Sequence, residues 1–202
     1  TVLNKTNRAG LHSIDVPKFD RPKFNTARLT WFSKDQVDQL AYTAKKIFDS
    51  KDLADAIIFS AYTGLRQSEL LKIKPSDINL TNSTITIGGT DHLRSKNGEV
   101  RVIPLHNKAL SVLTNRLTKN SIFGDDWINK DQLLNCFKKV RDYNNINDDY
   151  VWHSLRHSFG TYLGEVCEVR QVMALMGHKD VKTSLRYIHV TAKSLTNAIS
   201  NI

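Results

Sequence analysis

The sequence has few cysteines and no long uninterrupted apolar run. Two cysteines, Cys136 and Cys167, are too few for a disulfide framework, and we expect both to be buried, reduced thiols in helix-like apolar surroundings. No stretch approaches the roughly 18 apolar residues of a membrane helix, and the N-terminus lacks the charged-then-apolar pattern of a secretory signal. The sequence therefore predicts a protein without membrane association, in the cytoplasm of its host cell.

Acidic residues are scarce relative to basic ones. The 29 Lys and Arg residues outnumber the 20 Asp and Glu residues, so the formal net charge of the 202-residue chain is +9. An excess of this size indicates a polyanionic partner, with nucleic acid as the leading candidate, because each neutralised phosphate releases counterions. Charge alone does not distinguish such a protein from a basic protein with another role, so the motifs must decide.

The chain divides into a basic segment and a longer domain. Residues 1–28 hold two of the four prolines together with several Lys and Arg residues, a composition typical of a linker. Residues 29–202 have the length of one domain with a sizeable core. Because the first residue is Thr1, we expect the chain to be a piece of a longer protein.

The spacing of apolar residues predicts a mainly α-helical domain with a small antiparallel β-sheet, an α+β fold. Ser33 is suited to cap a first helix, and a second apolar helix follows until Thr63-Gly64 breaks the pattern. Residues 76–105 contain short β-branched runs, which predict the sheet. Asn97-Gly98 predicts a hairpin turn that places Lys96 at or beside its tip.

A set of chemically reactive side chains recurs along this domain. Its members, in chain order, are Arg66, Lys96, His153, Arg156, His178 and Tyr187. Arginine presents paired donors that match the non-bridging oxygens of a phosphate, while Lys and His move protons. Guanidinium, ammonium, imidazole and phenol groups together therefore suit a site that holds and cuts a DNA strand without a metal ion.

These residues and their surroundings resemble the catalytic domain of the tyrosine recombinases, the phage integrase family. The resemblance rests on Thr63–Leu70, His153–His157, Gly177-His178 and the nine-residue step from His178 to Tyr187, and it extends from about Arg28 to the C-terminus. It implies the fold of that catalytic domain for residues 29–202, including a C-terminal tail at 188–202. It also implies that a separate DNA-clamping domain ends within residues 1–28.

The activity that this resemblance implies is site-specific DNA recombination. Strands would be cut and rejoined through a 3′-phosphotyrosine intermediate, with neither a cofactor, a metal nor ATP. Two alternatives stay open: a non-catalytic, integrase-like DNA-binding protein, and a type IB topoisomerase or telomere resolvase that uses a similar set of residues. The products separate these possibilities, because only a recombinase exchanges strands between two sites.

The resemblance implies that the phenol of Tyr187 is the nucleophile and that Arg66 and Arg156 hold the non-bridging oxygens of the phosphate. A free phenol has a pKa of about 10, so the site must help to remove its proton. Glu69 would lie one helical turn from Arg66 and would orient it as a supporting carboxylate. A simple ion pair on a helix surface is the alternative interpretation of Glu69.

The resemblance assigns the remaining roles to two imidazoles and one ammonium. His153 would be an acid or base, His178 would donate a hydrogen bond to a phosphate oxygen, and Lys96 would protonate the departing 5′ oxygen. Lys96 is preferred to Arg94 and Arg101 because the turn, strand and Pro-Leu that follow it match the layout of the family. A contact to the phosphate backbone is the alternative role for Lys96.

His153 and His157 stand four residues apart and would share one face of a helix. No set of Cys or carboxylate residues completes a recognisable metal site with them, so we expect no metal ion. We expect His157 to have a structural role, packed beneath the site.

The implied partners are double-stranded DNA attachment sites, three further copies of the chain in a homotetramer on DNA, and accessory DNA-bending proteins. A phage or another mobile element in a bacterial host is the implied source. The tail at 188–202 is loosely amphipathic and would dock on a neighbouring subunit; folding back on its own domain is the alternative.

Overall fold

The computed structural model describes residues 29–93, 100–114, 116–127 and 129–188. The predicted linker, Lys96 with its hairpin turn, and the tail from residue 189 onward lie outside the described residues. The α-helices of the described part are α1 (Lys34–Lys46), α2 (Lys51–Thr63), α3 (Gln67–Leu70), α4 (Asn107–Leu113), α5 (Lys130–Tyr143), α6 (Trp152–Gly164), α7 (Val169–Met176) and α8 (Val181–Leu185). Short 3-10 helices cover Pro75–Asp77 and Gly124–Asp126.

The first helix begins, and the second helix ends, at the residues that the sequence indicated. The Ser33 hydroxyl accepts a hydrogen bond from the Gln36 amide, and the Gln36 side chain accepts one from the Ser33 amide, so a capping box starts α1. Gly64 ends α2 in the left-handed conformation, with φ at 64°. A Cβ at this glycine would lie 2.2 Å from the ring of Phe159, so both conformation and space favour glycine there.

The sheet is antiparallel, in the order β1 (Ile78–Asn79), β2 (Thr84–Ile87) and β3 (Arg101–Pro104). Its register pairs Ile85 with Ile103 and Ile87 with Arg101. Alternation along β3 buries Arg101 and Ile103 and exposes Val102 and Pro104. The guanidinium of Arg101 therefore faces the interior of the protein, on the same face as the buried isoleucines.

Helix α2 forms the centre of the helical core. It packs against α1, α4 and α6, and its residues from Leu53 to Thr63 are buried around most of its circumference. Such all-round burial is typical of a central helix rather than a surface one. The mainly helical α+β fold that the sequence predicts is confirmed.

The cysteine prediction is correct only in part. Cys136 lies in α5, but Cys167 lies in the connection between α6 and α7, because the helix has already ended at Gly164. Both thiols are free and half-buried rather than fully buried. Within the described residues, no helix has the length and apolar character needed to cross a membrane.

A buried arginine joins separate segments of the helical core. Arg116 is 2% exposed and donates hydrogen bonds to Asp55 at 2.9 Å, to Asp52 and Asp126 at 2.6 Å, and to the carbonyl of Ile122 at 3.0 Å. Its removal would leave the buried side chain of Asp126 with Lys119 but without its guanidinium partner, and loss of one partner of a buried ion pair is costly.

We predict that Arg116→Ala lowers the free energy of unfolding by about 3–5 kcal/mol. The matched control is Lys108→Ala, which removes an ion pair with Asp38 whose side chains are 41% and 49% exposed; there we expect a change of about 1 kcal/mol or less. Urea unfolding of both variants measures the difference. Equal decreases in the free energy of unfolding of the two variants would show that Arg116 contributes no more to stability than a surface charge.

Candidate active site

The first part of the site lies where α3 begins. Arg66 occupies the N-cap position; its backbone N–H donates to Glu69 Oε2 at 2.8 Å, and its guanidinium donates to Glu69 Oε1 at 2.9 Å. Two hydrogen bonds to one carboxylate fix the position of Arg66 relative to the helix. The Arg66 side chain is 30% exposed, so part of it is accessible to a ligand.

Glu69 also holds a second guanidinium, which comes from β3. Arg101 donates to Glu69 Oε2 at 2.7 Å and to Oε1 at 3.3 Å. Burial by itself raises the pKa of Glu69, but the hydrogen bond and charge of Arg101, together with Arg66, outweigh burial and lower the pKa below its usual value. A charged carboxylate therefore holds two arginines from different elements side by side.

Arg156 lies deeper and joins the ends of two helices. It is 3% exposed in α6 and donates to the carbonyls of Gly64, at the end of α2, and Met176, the last residue of α7. Such carbonyls carry partial negative charge, which suits a cation. Burial, and then the charge of Arg66, lower the pKa of Arg156 to about 9, which leaves it charged at neutral pH.

His178 follows the glycine that ends α7. Its Nδ1 lies 2.8 Å from the hydroxyl of Ser184, and its Nε2 lies 3.5 Å from Arg156 Nη2. The contact with buried Ser184 orients the ring. Burial, and then the charges of Arg156 and Arg66, lower the pKa of His178 to about 4, so its imidazole is neutral at pH 7.

Tyr187 lies against α6, beside the imidazoles of His157 and His178. Its hydroxyl is 2.7 Å from Nδ1 of His157, and its ring stacks on His178 with centroids 6.1 Å apart. A Cβ added at Gly160 would lie 2.8 Å from the Tyr187 ring, and one at Gly164 would lie 1.8 Å from its carbonyl oxygen. These two glycines therefore allow the approach of Tyr187 to the helix.

The phenol of Tyr187 is held in its protonated form. The residue is 3% exposed, and burial raises its pKa, although the charges of Arg156 and Arg186 oppose the increase. A buried phenol with a raised pKa needs a neighbouring group to take its proton before it becomes a strong nucleophile.

His153 and His157 are neighbours on α6, as their spacing predicts. The two rings meet edge to face with centroids 4.7 Å apart, His153 being exposed and His157 half-buried. Within the described ranges, no group of three or more His, Cys, Asp or Glu side chains is arranged to hold a metal ion.

The structure thus brings together the predicted residues Arg66, Glu69, His153, Arg156, His178 and Tyr187, whereas Lys96 lies outside the described residues. Two further residues belong to this cluster. Arg101, rejected above as an alternative to Lys96, is an inward-facing partner of Glu69. His157, expected to be structural, contacts the hydroxyl of Tyr187; its place one helical turn after His153 was the available signal.

The chain belongs to the Phage integrase family, which matches residues 30–194. It is similar to the tyrosine recombinase XerA of Pyrococcus furiosus, at 32% identity over 147 residues that cover 68% of this chain and 50% of that protein. It is also similar to the tyrosine recombinase XerD of Rickettsia bellii, at 26% identity over 220 residues that cover 97% of this chain and 70% of the relative. The chain therefore spans 50% to 70% of the length of these two relatives.

Solved structures with the same fold include recombinases bound to DNA. The Tn1549 transposon integrase in complex with transposon right end DNA matches 89% of this chain and 67% of its own, with a TM-score of 0.70 and 18% identity. The catalytic domain of bacteriophage HP1 integrase matches 86% of this chain and 95% of its own, with a TM-score of 0.65 and 18% identity. The fold is that of a tyrosine recombinase catalytic domain.

The depressed pKa values of His157 and His178, both about 4, predict a loss of stability in mild acid. The unfolded chain takes up protons on these imidazoles below their ordinary pKa of about 6.5, whereas the folded chain does so only near pH 4. The contribution of these two imidazoles to stability is therefore fully present above pH 6.5 and decreases as the pH falls toward 4. We expect the free energy of unfolding to decrease by roughly 2 kcal/mol in total. The pKa shifts alone would give a larger decrease, but both rings are partly exposed and solvent screens their interactions.

Urea unfolding between pH 7 and pH 4 measures this loss. The control is the double variant His157→Gln/His178→Gln, which should have the flatter profile of the two proteins across that range. An equally steep decrease in the double variant would assign the acid sensitivity to other groups.

Proposed function

We propose that this chain is the catalytic domain of a site-specific tyrosine recombinase that cuts and rejoins double-stranded DNA without metal or ATP. The observation that carries the proposal is the convergence of the Arg156 guanidinium, from within α6, with the His178 ring after α7 and the Tyr187 phenol after α8. These groups come from distant parts of the sequence, so their meeting is a property of the fold.

The proposed reaction is a transfer of the phosphoryl group from a DNA oxygen to the protein. The Tyr187 oxygen forms a bond to phosphorus while the bond from phosphorus to the 5′ oxygen breaks. The phenolic proton passes from Tyr187 to a neighbouring base, and Lys96 supplies a proton to the departing oxygen. Because one phosphoester replaces another, rejoining runs by the reverse attack of a 5′ hydroxyl and requires no external energy source.

Arg66 and Arg156 are proposed to neutralise the charge that develops on the non-bridging oxygens. Fixed donors of this kind lower the barrier because they need no rearrangement as the charge grows. Glu69 holds Arg66 in place, and Arg101 shares the same carboxylate, so the cationic group is organised before DNA binds. Neutral His178 would donate a hydrogen bond to the phosphate, and His153, exposed beside the site, would act as an acid or base.

Several observations support DNA as the substrate. The net charge is +9, and structurally similar proteins include the Tn1549 integrase with DNA and XerH bound to its difH substrate. We further propose that the enzyme acts for a phage or another mobile element, as integrases of a transposon and of bacteriophage HP1 share its fold.

We also propose that four copies assemble on DNA, assisted by accessory DNA-bending proteins, and that the tail of one copy docks on the next. An apolar groove of about 360 Å³ supports docking of this kind; it is lined by Lys34, Tyr62, Pro104, Leu105, His106, Phe159, Tyr162, Leu163, Val166 and Leu175. Val166 on its rim is 80% exposed, so an apolar segment placed there would bury surface that now contacts water.

We predict that a DNA substrate carrying the attachment site and a nick beside the cleavage point traps a covalent protein–DNA adduct. Tyr187→Phe should abolish the adduct, because phenylalanine has no oxygen to attack phosphorus, while a chelator should leave the yield unchanged. Denaturing gel electrophoresis detects the adduct. An adduct of normal yield with Tyr187→Phe would contradict the assignment of the nucleophile, and loss with EDTA that magnesium restores would contradict metal independence.

We predict that Arg66→Ala slows adduct formation by about 100-fold or more, as expected for loss of one transition-state donor. DNA affinity should change only a few-fold, because many other cations contribute to it. Arg156→Ala should slow cleavage similarly and also destabilise the fold, since Arg156 joins the ends of α2 and α7. Gel-shift titration measures the DNA affinity of each variant, and the adduct assay measures its cleavage rate. If Arg66→Ala lowered both by the same factor, Arg66 would be a general contact to the phosphate backbone.

A further inference from the structure

The hydroxyl of Tyr187 has a specific neighbour that the proposed chemistry has not used. Nδ1 of His157 lies 2.7 Å from that hydroxyl, a hydrogen-bonding distance, and the two rings are 6.0 Å apart at an angle of 38°. His153, the histidine to which the family resemblance assigns acid or base chemistry, contacts the ring of His157. The imidazole placed to exchange a proton with the phenol is therefore that of His157.

The surroundings of His157 keep it neutral and able to accept a proton. Burial, and then the neighbouring charges, lower its pKa to about 4. The titratable and charged groups that face it are His153 and Arg156 on α6, Arg186 at the end of α8 and His178 after α7. Burial raises the pKa of Tyr187, so the phenol keeps its hydrogen. In the His157 tautomer that carries its hydrogen on Nε2, the phenol donates this hydrogen to Nδ1.

We propose that His157 is a catalytic residue whose Nδ1 takes the phenolic proton as Tyr187 attacks the DNA phosphate. The O–H bond of Tyr187 breaks, an N–H bond forms on His157, and the phenolic oxygen bonds to phosphorus as the 5′ oxygen departs with a proton from Lys96. In rejoining, His157 returns its proton to the leaving phenolic oxygen. The inference rests on the proposed role of Tyr187 as the nucleophile.

The position of His157 suits this exchange in both directions. Transfer between two groups already in hydrogen-bond contact needs no movement of either side chain, and Gly160 allows the phenol to lie against the helix that carries His157. The imidazolium formed would lie near Arg156, so the proton is held weakly and is readily returned.

The first experiment measures the rate of adduct formation in the full chain with His157→Ala and His157→Gln. Glutamine can accept a hydrogen bond and so position the phenol, but it is not basic. We expect both variants to slow cleavage by about 100-fold, in the range typical of general base catalysis. DNA affinity and the unfolding midpoint at pH 7 are measured alongside, to establish that each variant is folded and binds DNA.

The second experiment separates proton transfer from positioning. A fluorinated tyrosine, whose phenol is more acidic, is introduced at position 187 by site-specific incorporation. It should restore much of the rate lost in His157→Gln and change the rate little when His157 is present, because an ionised phenol no longer needs a base. The matched control places the same analogue at Tyr143, which is 56% exposed and contacts Phe48; no rescue is expected there.

Three outcomes would overturn the inference. Normal cleavage by His157→Gln would show that its basicity is not needed, and faster cleavage would make the hydrogen bond a restraint on Tyr187. A loss that is equally large with tyrosine and with the fluorinated analogue would reduce His157 to a positioning residue. If Tyr187→Phe still forms the adduct, the proposed function fails instead, and this result is distinct from all three.

Discussion

The buried guanidinium of Arg156 holds the site together. Through the carbonyls of Gly64 and Met176 it fastens the ends of α2 and α7 to α6. Arg66 lies two residues after Gly64, and His178 lies two residues after Met176. A single side chain therefore sets the separation between groups that are distant in sequence, and helix ends with free carbonyls are what make such a cation stable in a buried position.

The arrangement concentrates positive charge and leaves it only partly neutralised. Arg66, Arg101 and Arg156 lie near one carboxylate, that of Glu69, so the site keeps a net positive charge without a ligand. The neighbouring imidazoles respond by staying neutral, which avoids further repulsion and leaves them free to exchange hydrogen bonds. A phosphate diester supplies the missing negative charge, so the same electrostatics that weaken the empty domain favour its complex with DNA.

Local patterns sufficed for the elements and for part of the site. Ser33 and Gly64 mark helix ends through their own chemistry, and the contact between Arg66 and Glu69 follows from their helical spacing. The inward direction of Arg101 depends on the register of β3, which no local signal determines. The role open to His157 depends on where Tyr187 packs, a tertiary contact between residues thirty positions apart. The residues that meet in this cluster could thus be predicted from the sequence, whereas their pairing required the fold.

The two glycines beneath Tyr187 have a mechanical consequence. At Gly164 it is the main chain of Tyr187, not its ring, that comes too close for any Cβ. The phenol of Tyr187 is therefore located by the docking of its backbone on α6 as well as by its side-chain rotamer. A displacement of the main chain at Tyr187 would consequently move the phenol relative to the arginines without altering a single cationic group.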